Sequence, residues 1–308
     1  LMPEGFDLLW FQGSAEAQAD VDIHAASFAR GPEGWLAGPP RLLLTRADLR
    51  AAMVPRQIVV TLGNTIENEA VPGALFATVA SVGGWAMASV ADVRMAGGRP
   101  KRARKLNLSP LLGRSNLVKS PMVAYQDGSR ALPAYFEMGA TYGLLVRLDA
   151  RGRVRDTRRI TAARGAGKPI QPMIVALSET RALAFLRDFG PSHQLLVSRT
   201  EDGGQSWSPA APSGIENPSS PVAALNLGQG RILMAINDEA ENPQRLRLIL
   251  GTGDGADWRV LRIFEGAGAL RYPMLRRLPG NGIAFAYSKG TKRGGVAHVF
   301  NPAWVAAQ

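Results

Sequence analysis

Self-similarity at a step of about fifty residues constrains this chain more than any other feature. Five short segments resemble one another: Leu62-Gly63-Asn64-Thr65, Val118-Lys119-Ser120-Pro121, Ile170-Gln171-Pro172-Met173, Glu216-Asn217-Pro218-Ser219 and Arg271-Tyr272-Pro273-Met274. With Asn64, Lys119, Gln171, Asn217 and Tyr272 as markers, the steps are 55, 52, 46 and 55 residues. A repeat of that size signals units that each hide an apolar face against the next.

The same order of events follows each marker. A short apolar strand comes first, as in 173–177 and 274–278. A Gly-rich or polar turn follows, as in 127–129, 228–230 and 279–282. A second apolar strand is predicted over 132–136, 182–186, 232–236 and 283–287, and a third over 144–148, 194–198, 246–250 and 296–300. A further turn leads to a last strand. Four antiparallel strands per unit of this length is the pattern of a propeller blade.

The N-terminal stretch fits the template without its first strand: 8–13 is a second strand, 20–28 a third and 41–45 a fourth. That makes six units. The expectation is an all-β, six-bladed β-propeller with four-stranded antiparallel blades, one domain over 1–308, the innermost strand of the first blade apparently lying upstream. The last unit lacks a clear fourth strand. Residues 45–54 are predicted as a short helix with Thr45 as N-cap and Asp48 in the first turn.

A 308-residue chain that is 46% hydrophobic and 20% charged can build a large core. It has no Cys, which excludes disulfides and thiolate metal sites. His24, His193 and His298 share no spacing that suggests a metal site, and no pattern calls for a cofactor. No apolar run is long enough for a transmembrane helix, and no signal peptide is visible. The net charge of +11 points to an anionic partner, such as an acidic glycan, or to a basic surface that meets a protein. The alternative is protection of sheet edges, because the cation-rich stretches 99–105 and 151–159 fall on predicted outer strands. Nothing matches a nucleic-acid-binding module.

Thr200-Glu201-Asp202-Gly203-Gly204-Gln205-Ser206-Trp207 matches S/T-x-D-x-G-x-S/T-W at every position. It looks like an Asp box, a turn between the third and fourth strands of a blade. Asp and Thr side chains bond turn amides there, Gly supplies positive φ, and Trp packs between blades. Residues 251–258 keep the later Gly and the Trp, 31–35 keep less, and 92–98 keep a trace. The box is structural and lies far from a propeller's axis.

With the stretches Trp10–Glu16, Leu132–Met138 and Ala184–Asp188, the box makes nearly the whole chain resemble the sialidases (neuraminidases) of the Asp-box repeat family. The resemblance implies cleavage of a terminal sialic acid or a related anionic sugar. In that scheme a Tyr nucleophile is deprotonated by a Glu, an Asp serves as acid/base and three Arg clamp the sugar carboxylate. By position, the resemblance makes Tyr272 the nucleophile, its alternative role being an aromatic that packs the channel floor, and Arg187 the second clamp. Arg245 is the third clamp, with Arg247 as its rival. Asp20 is the acid/base, with Asp22 as its rival. Gln171, Asn217 and Asn237 are candidate partners of sugar hydroxyls, or they satisfy buried backbone. Arg187 precedes Asp188, so a local ion pair is its alternative role, and Asp20 is alternatively a turn cap.

Two departures bear on activity. Where the family's Glu is due, this chain has Gln171, and the first clamp Arg belongs to the missing strand. An amide cannot accept the tyrosine proton. Glu137, at the end of a neighbouring second strand, is the candidate substitute base. Two functions stand side by side: an exo-glycosidase for an anionic sugar, and a propeller that has lost hydrolysis and binds an acidic glycan or serves as a scaffold subunit. The family resemblance also implies export to the periplasm or the exterior.

Overall fold

A computed structural model describes residues 5–108, 113–125, 128–149, 151–239, 241–290 and 294–306. Asp127 of the predicted 127–129 turn lies outside the described residues. The strands form six antiparallel sheets in chain order, the blades of a β-propeller. The first blade holds β1 (Gly5–Gln12), β2 (Asp22–Gly31), β3 (Gly34–Ala37) and β4 (Arg41–Leu44). β2 pairs with β1 on one edge, and β3 and β4 share its other edge. The sheet therefore opens with the predicted second strand. Helix α1 (Arg46–Ala52) follows, and Thr45 Oγ1 accepts from the Asp48 amide as predicted.

The second blade is β5 (Thr61–Glu67), β6 (Ala74–Ser81), β7 (Gly84–Ala96) and β8 (Arg99–Lys105). In the third, β9 (Asn116–Val118) and β10 (Val123–Ala124) divide the inner edge of β11 (Arg130–Phe136), and β12 (Tyr142–Leu148) and β13 (Val154–Ile160) follow. The fourth is β14 (Pro169–Ala176), β15 (Ala182–Asp188), β16 (Gln194–Thr200) and β17 (Ala211–Glu216). The fifth is β18 (Ala223–Gly228), β19 (Arg231–Ile236), β20 (Arg245–Thr252) and β21 (Asp257–Glu265). The sixth has three strands, β22 (Leu270–Arg277), β23 (Ile283–Lys289) and β24 (Gly295–Phe300), before helix α2 (Pro302–Ala306).

The chain divides into two compact units, residues 1–124 with 129–157, and 125–128 with 158–308. In each unit the apolar clusters lie between neighbouring blades. In the first unit, Ile23 and Leu44 meet Leu62, Val79 and Val93, while Phe76 and Val90 meet Val118, Leu132 and Val146. In the second, Met173 and Phe185 meet Ile232 and Met234, while Leu233 and Leu248 meet Leu275 and Phe285. The period of two along a strand explains how β19 serves both neighbours: Ile232, Met234 and Ile236 face one, Leu233 and Ala235 the other. Strands buried on both faces read as continuous apolar runs, which is why the blade centres stand out in the sequence.

Candidate functional site

Two inner strands of the second unit, β14 and β22, carry their sequence markers on β-bulges. In β14, Ile170 pairs with Arg187 and Met173 with Phe185, so Gln171 and Pro172 together oppose one residue. In β22, Arg271 pairs with Ser288 and Met274 with Ala286, so Tyr272 and Pro273 do the same. Gln171 has φ 51° and Tyr272 φ 53°, left-handed backbone that a bulky residue rarely adopts. A bulge with such a residue bends the strand and re-aims the side chain, a device common beside functional sites. Gln171 is buried and Tyr272 half-buried. In the second blade the bulge holds Gly63 and Asn64. The position equivalent to Tyr272 is thus Gly63, one residue before the marker Asn64. A Cβ at Gly63 would sit 3.1 Å from the Trp85 ring.

Arg187 lies one residue before the end of β15, beside Gln171. Its Nε donates to Ser219 Oγ at 2.9 Å, and its guanidinium lies 5.4 Å from the Phe189 ring centroid. Ser219 is itself left-handed, with φ 55°. Adjacent strand residues face opposite sides, so Asp188 points away from Arg187. Its carboxylate accepts from the Lys168 and Gly190 amides at 2.7 and 2.8 Å and from Ser192 Oγ. Burial alone would raise its pKa, but these bonds hold it below the ordinary value.

Arg245 and Arg247, on β20, sit in a carboxylate network. Arg245 reaches Glu239 at 2.7 Å through Nη1, and it grips Glu265 through Nε at 3.1 Å and Nη2 at 2.9 Å. Arg247 donates to Asp238 at 2.8 Å and also to Glu239. Glu239 and Glu265 push the Arg245 pKa up, whereas burial raises that of Asp238 against the pull of Arg247. Both guanidinium groups already hold carboxylates.

Asn217 and Asn237 tie backbone together. Asn217 Nδ2 donates to the Asn237 carbonyl at 3.2 Å, and its Oδ1 accepts from the Ser220 amide at 2.8 Å. Asn237 Nδ2 donates to the carbonyls of Arg245 at 2.6 Å and Leu270 at 3.0 Å. Asn237 Oδ1 is buried without a partner among the described residues.

Three candidates lie in the first unit. Asp20 is exposed, and its carboxylate accepts from the Ser14 amide at 2.9 Å and the Ser14 hydroxyl at 3.0 Å. Those bonds lower its pKa, the opposite of what a general acid needs. Asp22 accepts from the Arg46 amide at 3.3 Å. Glu137 follows β11 and is half-buried. Sequence reasoning passed over Ser219 and Lys119 as site residues, although both lie in the repeated segments. Lys119 sits between β9 and β10, and burial draws its pKa down to about 7. Among the described residues no group of His, Asp and Glu could hold a metal, and no helix is long and apolar enough to cross a membrane.

The Asp box forms the β16–β17 turn as predicted. Asp202 Oδ1 accepts from the Gln205 and Ser206 amides at 2.9 Å each and from Thr200 Oγ1 at 2.8 Å. Gly203 and Gly204 have φ 70° and 79°. In the degenerate copy, Trp258 packs on Phe185 of the neighbouring blade with ring centroids 6.0 Å apart.

With this geometry, residues 6–290 match the model of the BNR repeat-like domain. The chain belongs to the BNR repeat-like family. Solved structures with the same fold include a protein of unknown function from Dyadobacter fermentans, 15% identical with a TM-score of 0.69, the match covering 96% of this chain and 90% of that one. A Hadza microbial sialidase is 14% identical with a TM-score of 0.69 over 94% of this chain. A leech intramolecular trans-sialidase, complexed with 2,7-anhydro-Neu5Ac, is 12% identical with a TM-score of 0.68 over 95%. The chain spans 61% and 65% of those two sialidases' lengths. No curated protein matches the sequence.

Proposed function

We propose that this propeller binds a terminal anionic sugar, sialic acid or a related acid, and does not hydrolyse it. The observation that carries the reading is Gln171. The family resemblance puts the base for the nucleophile there, and a neutral amide cannot take the proton of Tyr272. A phenol becomes an effective nucleophile only when a group beside it takes its proton, and an amide at 171 does not supply that group. Asp20, held ionised in a turn, is suited to capping rather than to donating a proton. Binding keeps its means: Arg187 is half-buried next to Gln171, and a guanidinium fork matches a carboxylate. Arg245, whose fork holds Glu239 and Glu265, would share it with the sugar as the further clamp. Asn217 and Asn237 shape the site by holding its backbone.

The test pairs two measurements. Titration calorimetry with N-acetylneuraminic acid should show binding that weakens about tenfold in Arg187→Ala, the loss of one charge-assisted bond. A fluorogenic sialoside should show no turnover. Measurable turnover by the wild-type chain would replace this reading with a second one, hydrolysis with Tyr272 as nucleophile. The strained backbone of Tyr272 favours that alternative. In that case Tyr272→Phe should abolish the turnover.

A further inference from the structure

The net charge is not spread over the molecule. Residues 94–105 hold six cations and no acid, and residues 147–159 hold six cations and two acids. These two stretches carry ten of the eleven net positive charges. In the first unit they meet. The register of β7 and β8 sets Arg94 opposite Arg102 and Asp92 opposite Arg104, so one face of this sheet edge bears three arginines and one acid. Asp92, almost wholly buried, binds Arg94 at 3.0 Å and lies 3.5 Å from Arg104. The turn between β12 and β13 packs on this face. A Cβ on its Gly152 would sit 3.1 Å from Val71 and 3.7 Å from Arg94 Nη2. Arg151 and Arg153 flank that glycine, and Asp149 is engaged by Arg153 Nε at 2.9 Å.

Protection of a sheet edge needs charges, but it does not need two arginines directly opposite each other. Like charges at paired positions destabilise a sheet. A local rule broken without a folding return points to a ligand that supplies the missing anions. Same-side residues such as Arg102 and Arg104 lie about 7 Å apart along the strand, a spacing suited to successive anionic groups of a polymer. Neither stretch contains an aromatic residue, so bases would find no stacking platform.

We propose that the face formed by Arg94, Arg102, Arg104 and the Arg151–Arg153 turn binds a linear anionic polysaccharide through its sulfate or carboxylate groups. The site uses none of the residues of the inner-strand bulges and does not depend on the sugar reading above. The probe is a size-defined heparin fragment, titrated into the full chain at fixed salt. Arg102→Gln and Arg151→Gln leave the Asp92 pairs intact. Each should weaken binding about fivefold, the upper range for an exposed ion pair, and the double variant more. Arg30→Gln, the same charge change on exposed β2, should leave the affinity within twofold. An equal loss in Arg30→Gln would overturn the proposal, since binding would then follow bulk charge. Tighter binding to a DNA oligonucleotide or to phosphatidylserine vesicles than to heparin would overturn it as well.

Discussion

At the scale of the residue, Asp202 shows how much one side chain can organise. Its two oxygens receive two amides and two hydroxyls, the shortest from Ser206 Oγ at 2.5 Å. Burial would raise its pKa, but the bonds from Ser206, Thr200 and Gln205 prevail and hold it at about 2, below the ordinary carboxylate value. A depressed pKa means that the native state prefers the ionised form. The stabilisation is therefore present above about pH 4 and is lost as pH falls toward 2. Asp202→Ala should cost about 1 kcal/mol at pH 7, comparable to the loss of a helix cap. Its deficit in urea unfolding should shrink as the pH is lowered from 4 toward 2. A deficit independent of pH would mean that the ionised carboxylate contributes nothing. This residue was legible because the whole box is contiguous. The site residues were less so: Glu239 and Glu265, which saturate Arg245, come from separate segments, and no spacing rule links them to it.

At the scale of the element, the second and third strands of the third to sixth blades were legible to within two residues because their centres are buried on both faces, whereas β14 and β22 begin four residues before the predicted 173–177 and 274–278. The bulges were not legible. Aligning Asn64 with Tyr272 slips by one residue, since a bulge inserts a residue without changing composition. Loop anchors were equally hidden. Asn237 follows β19 and bonds the carbonyls that begin β20 and β22, so one amide fixes three strand ends. Asn237→Ala leaves two carbonyls without their donor and should cost about 2–4 kcal/mol, read from the chemical-denaturation midpoint. Asn237→Asp should be worse than Ala at neutral pH, because a carboxylate would face two carbonyl oxygens in a buried place. If Asp proves the milder change, these carbonyls are not the partners that matter.

At the scale of the whole molecule, six sheets followed from the repeat and the box, but activity did not. A propeller is held by apolar contacts between blades, which tolerate any residue of the right volume at the strand centres. Chemistry rests on a few strand ends, where one substitution changes the outcome while the fold is kept. Gln171 and Glu differ by an amide against a carboxylate, with nearly the same volume and rotamers. Gln171→Glu should therefore fold, with some loss of stability from placing a carboxylate where Gln171 is now buried. That burial would raise the new pKa toward the range in which a carboxylate is an effective base. If hydrolysis is missing only for want of a base, Gln171→Glu should gain turnover of a fluorogenic sialoside, and Gln171→Glu with Tyr272→Phe should lose it again. Equal, absent turnover in the single variant would place the defect elsewhere, with Asp20, ionised in its turn, as the next position to change.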